Sequence, residues 1–237
     1  FNFNRAVTLA NNTTINSGTA TTTFGSTVNG ARTLNVTAGN TVFGGAVGNT
    51  TGLTGLTVNG PASLAGNVTL ANAALSISGL TTLTGNSTLS TGSGNITLVG
   101  VAAGANTLTL AGTGGLTMSG NFTSTNTAFN FNRAVTLANN TTVNSGTANT
   151  TFGSTVNGAR TLAVTAGNTV FSNTVGATTA LTGLTITGPA SLAGNVTLAN
   201  SALSISGLTT LTGNTTLSTG TGNISLSGVN ANTRTFA

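Results

Sequence analysis

The sequence predicts an all-β chain wound as a parallel β-helix, a β-solenoid of about 11 coils with about 20–22 residues in each. Three observations predict it. A long unit repeats almost word for word along the chain. Short stretches alternate apolar and polar residues between Gly- and Asn-containing turns. The side chains are almost entirely uncharged, with 2% charged residues against 38% hydrophobic ones.

The long repeat is the plainest of these. Phe1 recurs as Phe129, Phe24 as Phe152, Phe43 as Phe171 and Pro61 as Pro189, each 128 residues on. Residues 61–92 return as 189–220 with only Ala73/Ser201 and Ser87/Thr215 exchanged. The organisation read from this is a first unit at 1–128 and a second, incomplete unit at 129–237, within one continuous solenoid. The exchanges carry information of their own. Ile15/Val143 and Val58/Ile186 keep a β-branched apolar residue, which marks buried strand positions. Gly44, Gly45 and Ala46 become Ser172, Asn173 and Thr174, the drift of an exposed turn. Asn35/Ala163, Asn49/Ala177 and Asn59/Thr187 change polarity, so these asparagines carry no structural duty in this reading.

Within each unit the words are short: "VTL" at Val7, "LNV" at Leu34, "LTV" at Leu56, "VTL" at Val68, "LSI" at Leu75 and "ITL" at Ile96. Alternation with period two and β-branched residues reads as half-buried strand. The words are separated by "AGN", "NG", "SGN" and "TGSGN", which supply residues that tolerate a left-handed backbone. Gly every few residues penalises a helix. Strands of ~3–5 residues bury too little as hairpins. Stacked as coils they bury a continuous core, each coil hydrogen-bonded to its neighbours at ~4.8 Å. An uncharged exterior suits such a stack, because like charges in register would repel at every coil.

The predicted core is Phe1, Phe3, Val7, Leu9, Phe24, Phe43, Leu56, Val58, Val68, Leu70, Leu75, Ile77, Ile96, Leu98, Phe129, Phe131, Phe152 and Phe171. In "FNFNR" the two phenylalanines lie two apart and share a face, with Asn2 and Asn4 outward and Arg5 at the turn. Phe129, Phe131 and Arg133 are expected to repeat this arrangement. Because the opening words recur mid-chain, they read as interior repeat text, and the first strand is expected to have a neighbour in further chain or another subunit.

Composition argues against an enzyme. There is no Asp, Glu, His, Cys, Tyr or Trp, and the five basic residues are all arginines. General acid–base catalysis needs a group that exchanges a proton near working pH. Ser and Thr hydroxyls need a base beside them to act as nucleophiles. Catalytic residues, a cofactor and a metal site are therefore all read as none, since the usual metal ligands are also missing. Without Cys a disulfide-stapled scaffold is excluded.

The net charge is +5, and arginine keeps its charge at ordinary pH. Five scattered arginines make no nucleic-acid patch. Arg5, Arg32, Arg133 and Arg160 are candidate surface contacts to a polyanion such as a cell-surface polysaccharide. No apolar run reaches the ~18 residues of a membrane span, and the first residues do not read as a signal peptide.

Four other architectures or functions fit the sequence less well. Disorder fits poorly with 38% hydrophobic residues. A transmembrane barrel needs strands of ~9–11 residues and aromatic girdles. Ice binding would use ranks of Thr-x-Thr, which occurs here, for example at Thr21–Thr23 and Thr107–Thr109, without constant spacing. A carbohydrate-binding module would need aromatic platforms, and Phe is the only aromatic. Asn-x-Ser/Thr sequons such as those at Asn67 and Asn86 arise readily in a Thr/Asn-rich repeat.

The stretch "STVNGARTLNVTAGNTVFGGAVGNTTGLTGLTVNGPASLAGNVTL" at Ser26–Leu70 resembles the β-strand-repeat segments of giant bacterial exoproteins related to filamentous haemagglutinin. The likeness extends through both copies. It implies a right-handed parallel β-helix shaft, export across the outer membrane and an adhesive or matrix-forming role, and it defines no functional residues. Those proteins usually carry some acidic residues, and their lack here counts against a calcium-stabilised shaft. The function expected is a non-enzymatic structural segment of a secreted or bacterial cell-surface fibre, such as an adhesin shaft or biofilm-matrix filament. The alternative is a subunit that polymerises end to end through its solenoid edges.

Overall fold

The computed structural model describes every residue from Phe1 to Ala237. All regular structure is β, in strands of 2 to 9 residues. The strands pair in parallel and stack as a β-solenoid of about 11 turns. The chain forms two compact units, Phe1–Leu116 and Thr117–Ala237. The sequence-repeat boundary at 128/129 falls inside the second.

Each coil of the first unit contributes to three stacks of strands. The first holds Thr13–Asn16, Thr33–Thr37, Gly55–Asn59 and the leading halves of Leu75–Leu83 and Ile96–Gly104. Register places Ile15, Val36, Val58, Ile77 and Leu98 in one column, with Leu34, Leu56, Leu75 and Ile96 beside it. The second stack carries Phe3, Phe24, Phe43, Leu64 and Leu83 one above another. The third carries Val7, Val28, Val47, Val68, Leu89 and Leu110. Each column is inward because alternate strand residues share a face, and its members are the apolar ones.

The steps along these columns give the coil length directly. Val7 to Val28 is 21 residues and Val28 to Val47 is 19. Leu34 to Leu56 is 22 and Leu56 to Leu75 is 19. Coils of unequal length stay in register because the difference is absorbed at the corners. At one such corner Gly30 has φ +128, and a Cβ there would come within 2.5 Å of the Leu9 carbonyl oxygen. Only glycine fits that approach.

The second unit repeats the plan. Phe131, Phe152, Phe171, Leu192 and Leu211 form one column. Val135, Val156, Val175, Val196 and Leu217 form another, and Val143, Val164, Ile186, Ile205 and Leu226 a third.

Most residues named as core from the sequence are buried, among them Leu9, Phe24, Phe43, Leu56, Val58, Val68, Leu70, Leu75, Ile77, Ile96, Leu98, Phe129, Phe131, Phe152 and Phe171. Phe3 and Val7 are half-buried. Phe1 departs from the expectation, at 61% exposed. Its strand, Asn2–Phe3, is paired with Thr21–Phe24 on one side, and the one aromatic ring stacked near Phe1 is that of Phe3, at 6.5 Å. The equivalent Phe129 is enclosed by Phe122 and Phe131 at 6.2 and 5.6 Å and is buried.

A second correction concerns Arg133. The sequence placed it at a surface turn, but it is 2% exposed. Phe129, Phe131, Arg133, Val135 and Leu137 are all buried while the residues between them are exposed, so the alternation runs straight through the bend at Arg133. Burial holds its guanidinium below the usual arginine value, because the charged form is disfavoured away from water.

Candidate functional surface

The outward residues of successive coils form the surface. On the first stack Thr14, Asn35, Thr57, Ser76 and Thr97 stand in register. The second unit presents Thr142, Ala163, Thr185, Ser204 and Ser225 in the same places. Outward on the second stack are Asn2, Thr23, Val42, Ser63, Thr82 and Ala102. These columns are hydroxyl- and amide-rich but mixed, and neither is an unbroken rank of threonine. Phenylalanine lines the inside; only Phe1 and Phe236, at 61% and 42%, expose a ring widely. The other widely exposed large apolar residues are Leu80 and Leu208, at equivalent corners, with Ile224 and Val229 in the last strand. No pocket opens among the described residues, and no helix is long and apolar enough to cross a membrane.

The four candidate polyanion contacts divide. Arg5, Arg32 and Arg160 are exposed, whereas Arg133 is withdrawn into the core. Arg32 is fixed at its corner: Nε donates to the Ala10 carbonyl at 2.8 Å and Nη1 to the Ala31 carbonyl at 3.0 Å. Arg160 repeats both bonds with Ala138 and Ala159. The guanidinium thus ties one coil to the coil before it.

Sequence reasoning missed what the asparagines do. Asn29 Oδ1 accepts the backbone N–H of Thr50 at 3.0 Å, 21 residues on. Asn12 serves Thr33, Asn67 serves Thr88 and Asn86 serves Thr107 in the same way. In the second unit Asn140, Asn157, Asn195 and Asn214 do so for Thr161, Thr178, Thr216 and Thr235. At a corner the sheet ladder lapses, and the carboxamide oxygen takes over as acceptor for the amide of the next coil. The signal was present in the sequence as an Asn one coil-length ahead of a Thr. Asn35 and Asn49, which become Ala in the second copy, do not belong to this set, while Asn59 Nδ2 donates to Thr37 Oγ1 at 3.2 Å.

Hydroxyls also line the interior beside the apolar side chains. Thr22, Thr41, Ala62, Thr81 and Val101 form an inward column beside the phenylalanines. The Thr22 hydroxyl is 2.9 Å from Ser17 Oγ, as Thr150 is from Ser145. The hydroxyls of Thr41 and Thr81, and of their counterparts Thr169 and Thr209, are buried without a hydrogen-bond partner.

Comparison with protein-family models, with curated proteins and with solved structures finds no match for the chain.

Proposed function

We propose that the chain is a structural segment of an extracellular or cell-surface fibre, a β-solenoid shaft without catalytic activity. The observation that carries this reading is where the polar chemistry goes. Asparagine carboxamides and the two corner arginines hold coil to coil, while hydroxyls such as those of Ser145 and Thr150 bond within their own turn. With no carboxylate, imidazole, thiol, phenol or amine side chain in the sequence, no residue is left to exchange a proton with a substrate. The resemblance of Ser26–Leu70 to exoprotein shafts gives the same reading independently of the geometry.

A shaft fits the energetics. Each coil contacts the next through three stacks and an interior of apolar columns, so stability adds coil by coil and length can grow without a new core. A polar, sparsely charged outside avoids repulsion between neighbouring coils.

Intact cells that make the chain test this. A surface shaft is digested by protease added outside the cells and is recovered from the medium or outer-membrane fraction. Full protection by the intact cell would contradict the reading. Growth of the purified chain into filaments would replace the passive shaft with a polymerising subunit.

A further inference from the structure

We propose that Asn59 is a modification site, at which the folded chain acquires a carboxylate by spontaneous deamidation. The reaction needs only water. The backbone nitrogen of the following residue attacks the asparagine Cγ and ammonia leaves with the side-chain nitrogen. Water then opens the cyclic imide to aspartate or isoaspartate. A following glycine favours it by leaving the attacking nitrogen unhindered. The chain has three Asn-Gly pairs: Asn29–Gly30, Asn59–Gly60 and Asn157–Gly158.

The three pairs share a backbone and differ in what holds them. Each asparagine lies in or beside the end of a strand, and Gly30, Gly60 and Gly158 have φ of +128, +134 and +131. Asn29 is pinned twice, its Oδ1 accepting from Thr50 N at 3.0 Å and Thr51 N at 3.4 Å. Its glycine is buried, and the Gly30 N–H donates to the Thr51 carbonyl at 3.2 Å. Asn157 repeats this with Thr178 and Thr179, and Gly158 is likewise buried and bonded to the Thr179 carbonyl. Neither the carboxamide nor the attacking nitrogen can turn toward the other without breaking bonds to the next coil.

Asn59 lacks that lock. It is exposed, and Gly60 is half-exposed, so water reaches the imide. Its carboxamide has one bond, from Nδ2 to Thr37 Oγ1 at 3.2 Å, and its oxygen takes no amide from the next coil. The Gly60 N–H donates only to a rotatable hydroxyl, Ser78 Oγ at 3.0 Å. The second copy has Thr187 at this place and keeps the Gly188 N–H to Ser206 Oγ bond at 3.0 Å, so the corner does not depend on asparagine. The product is a negative charge on a chain that otherwise has no acidic side chain.

The test is to age the folded protein at mildly alkaline pH and map each Asn-Gly pair by peptide mass and charge, with a parallel sample in denaturant. Asn59 should convert several-fold faster than Asn29 and Asn157 in the folded protein, and the three should converge in denaturant. The variant Asn59→Thr should remove the early acidic species without changing the melting temperature. Equal rates in the folded protein would overturn the proposal. A difference that persists in denaturant would also overturn it, because local sequence would then set the rate.

Discussion

Phe24 and Phe43 lie face to face, with ring centroids 5.2 Å apart and planes 4° from parallel. The pair sits in the column that continues to Leu64 and Leu83. Phe152 and Phe171 repeat it at 4.9 Å and 7°. Parallel strands in register place identical side chains directly above one another, and flat rings fill that spacing well.

Truncating this column should be costly. Phe43→Ala is expected to destabilise the chain by about 3–5 kcal/mol, because the coils above and below cannot close on the gap. Phe43→Leu should cost much less, since Leu64 already occupies the next position of the column. Urea denaturation of the two variants checks the order. Equal losses would mean that the column is not packed as described.

The buried hydroxyls give the opposite sign. Thr41→Val and Thr169→Val remove hydroxyls that have no partner, so each is expected to stabilise by about 1–2 kcal/mol. Thr22→Val removes a hydroxyl bonded to Ser17 and should destabilise by about 1 kcal/mol. Opposite shifts in melting temperature for neighbouring members of one column are the outcome to look for.

The corner asparagines should separate into two classes. Asn67→Ala leaves the Thr88 amide without its acceptor and is expected to cost about 1 kcal/mol, with faster hydrogen exchange at Thr88. Asn35→Ala should be neutral, because Ala163 already stands at the equivalent place in the second unit. Exchange at Thr88 that is unaltered in the first variant would contradict the role given to the carboxamide.

Stability should hardly depend on pH from about 3 to 10. Acid denaturation works by protonating native carboxylates or charging buried histidines, and the chain has no Asp, Glu or His. Burial lowers the value of Arg133. A lowered base binds its proton more weakly in the folded state, so its charge opposes folding at every pH below its folded value. Relief comes only as pH rises from that value toward the ordinary arginine one, giving a small gain in strong alkali. Thermal melts across the range check this, and a collapse near pH 4 would contradict it.

How far the sequence could be read depends on which signal was followed. Alternation placed Leu56 and Val58 correctly because there apolar character and strand parity agree. Arg133 was misplaced because the two signals conflict. It stands two residues after Phe131 and two before Val135, so parity alone puts it inside. Polarity argued for the outside, and packing within a closed coil overrode it. The asparagine bonds needed the register of one coil on the next. Coil lengths of 21, 19 and 22 residues in one unit blur that register in the linear sequence.

Immunogold electron microscopy of cells that make the chain tests the structural-shaft account most directly. Label along thin fibres that project from the cell or lie in the surrounding matrix is the predicted result. Label confined to the cell interior, or to compact particles without fibres, would contradict it.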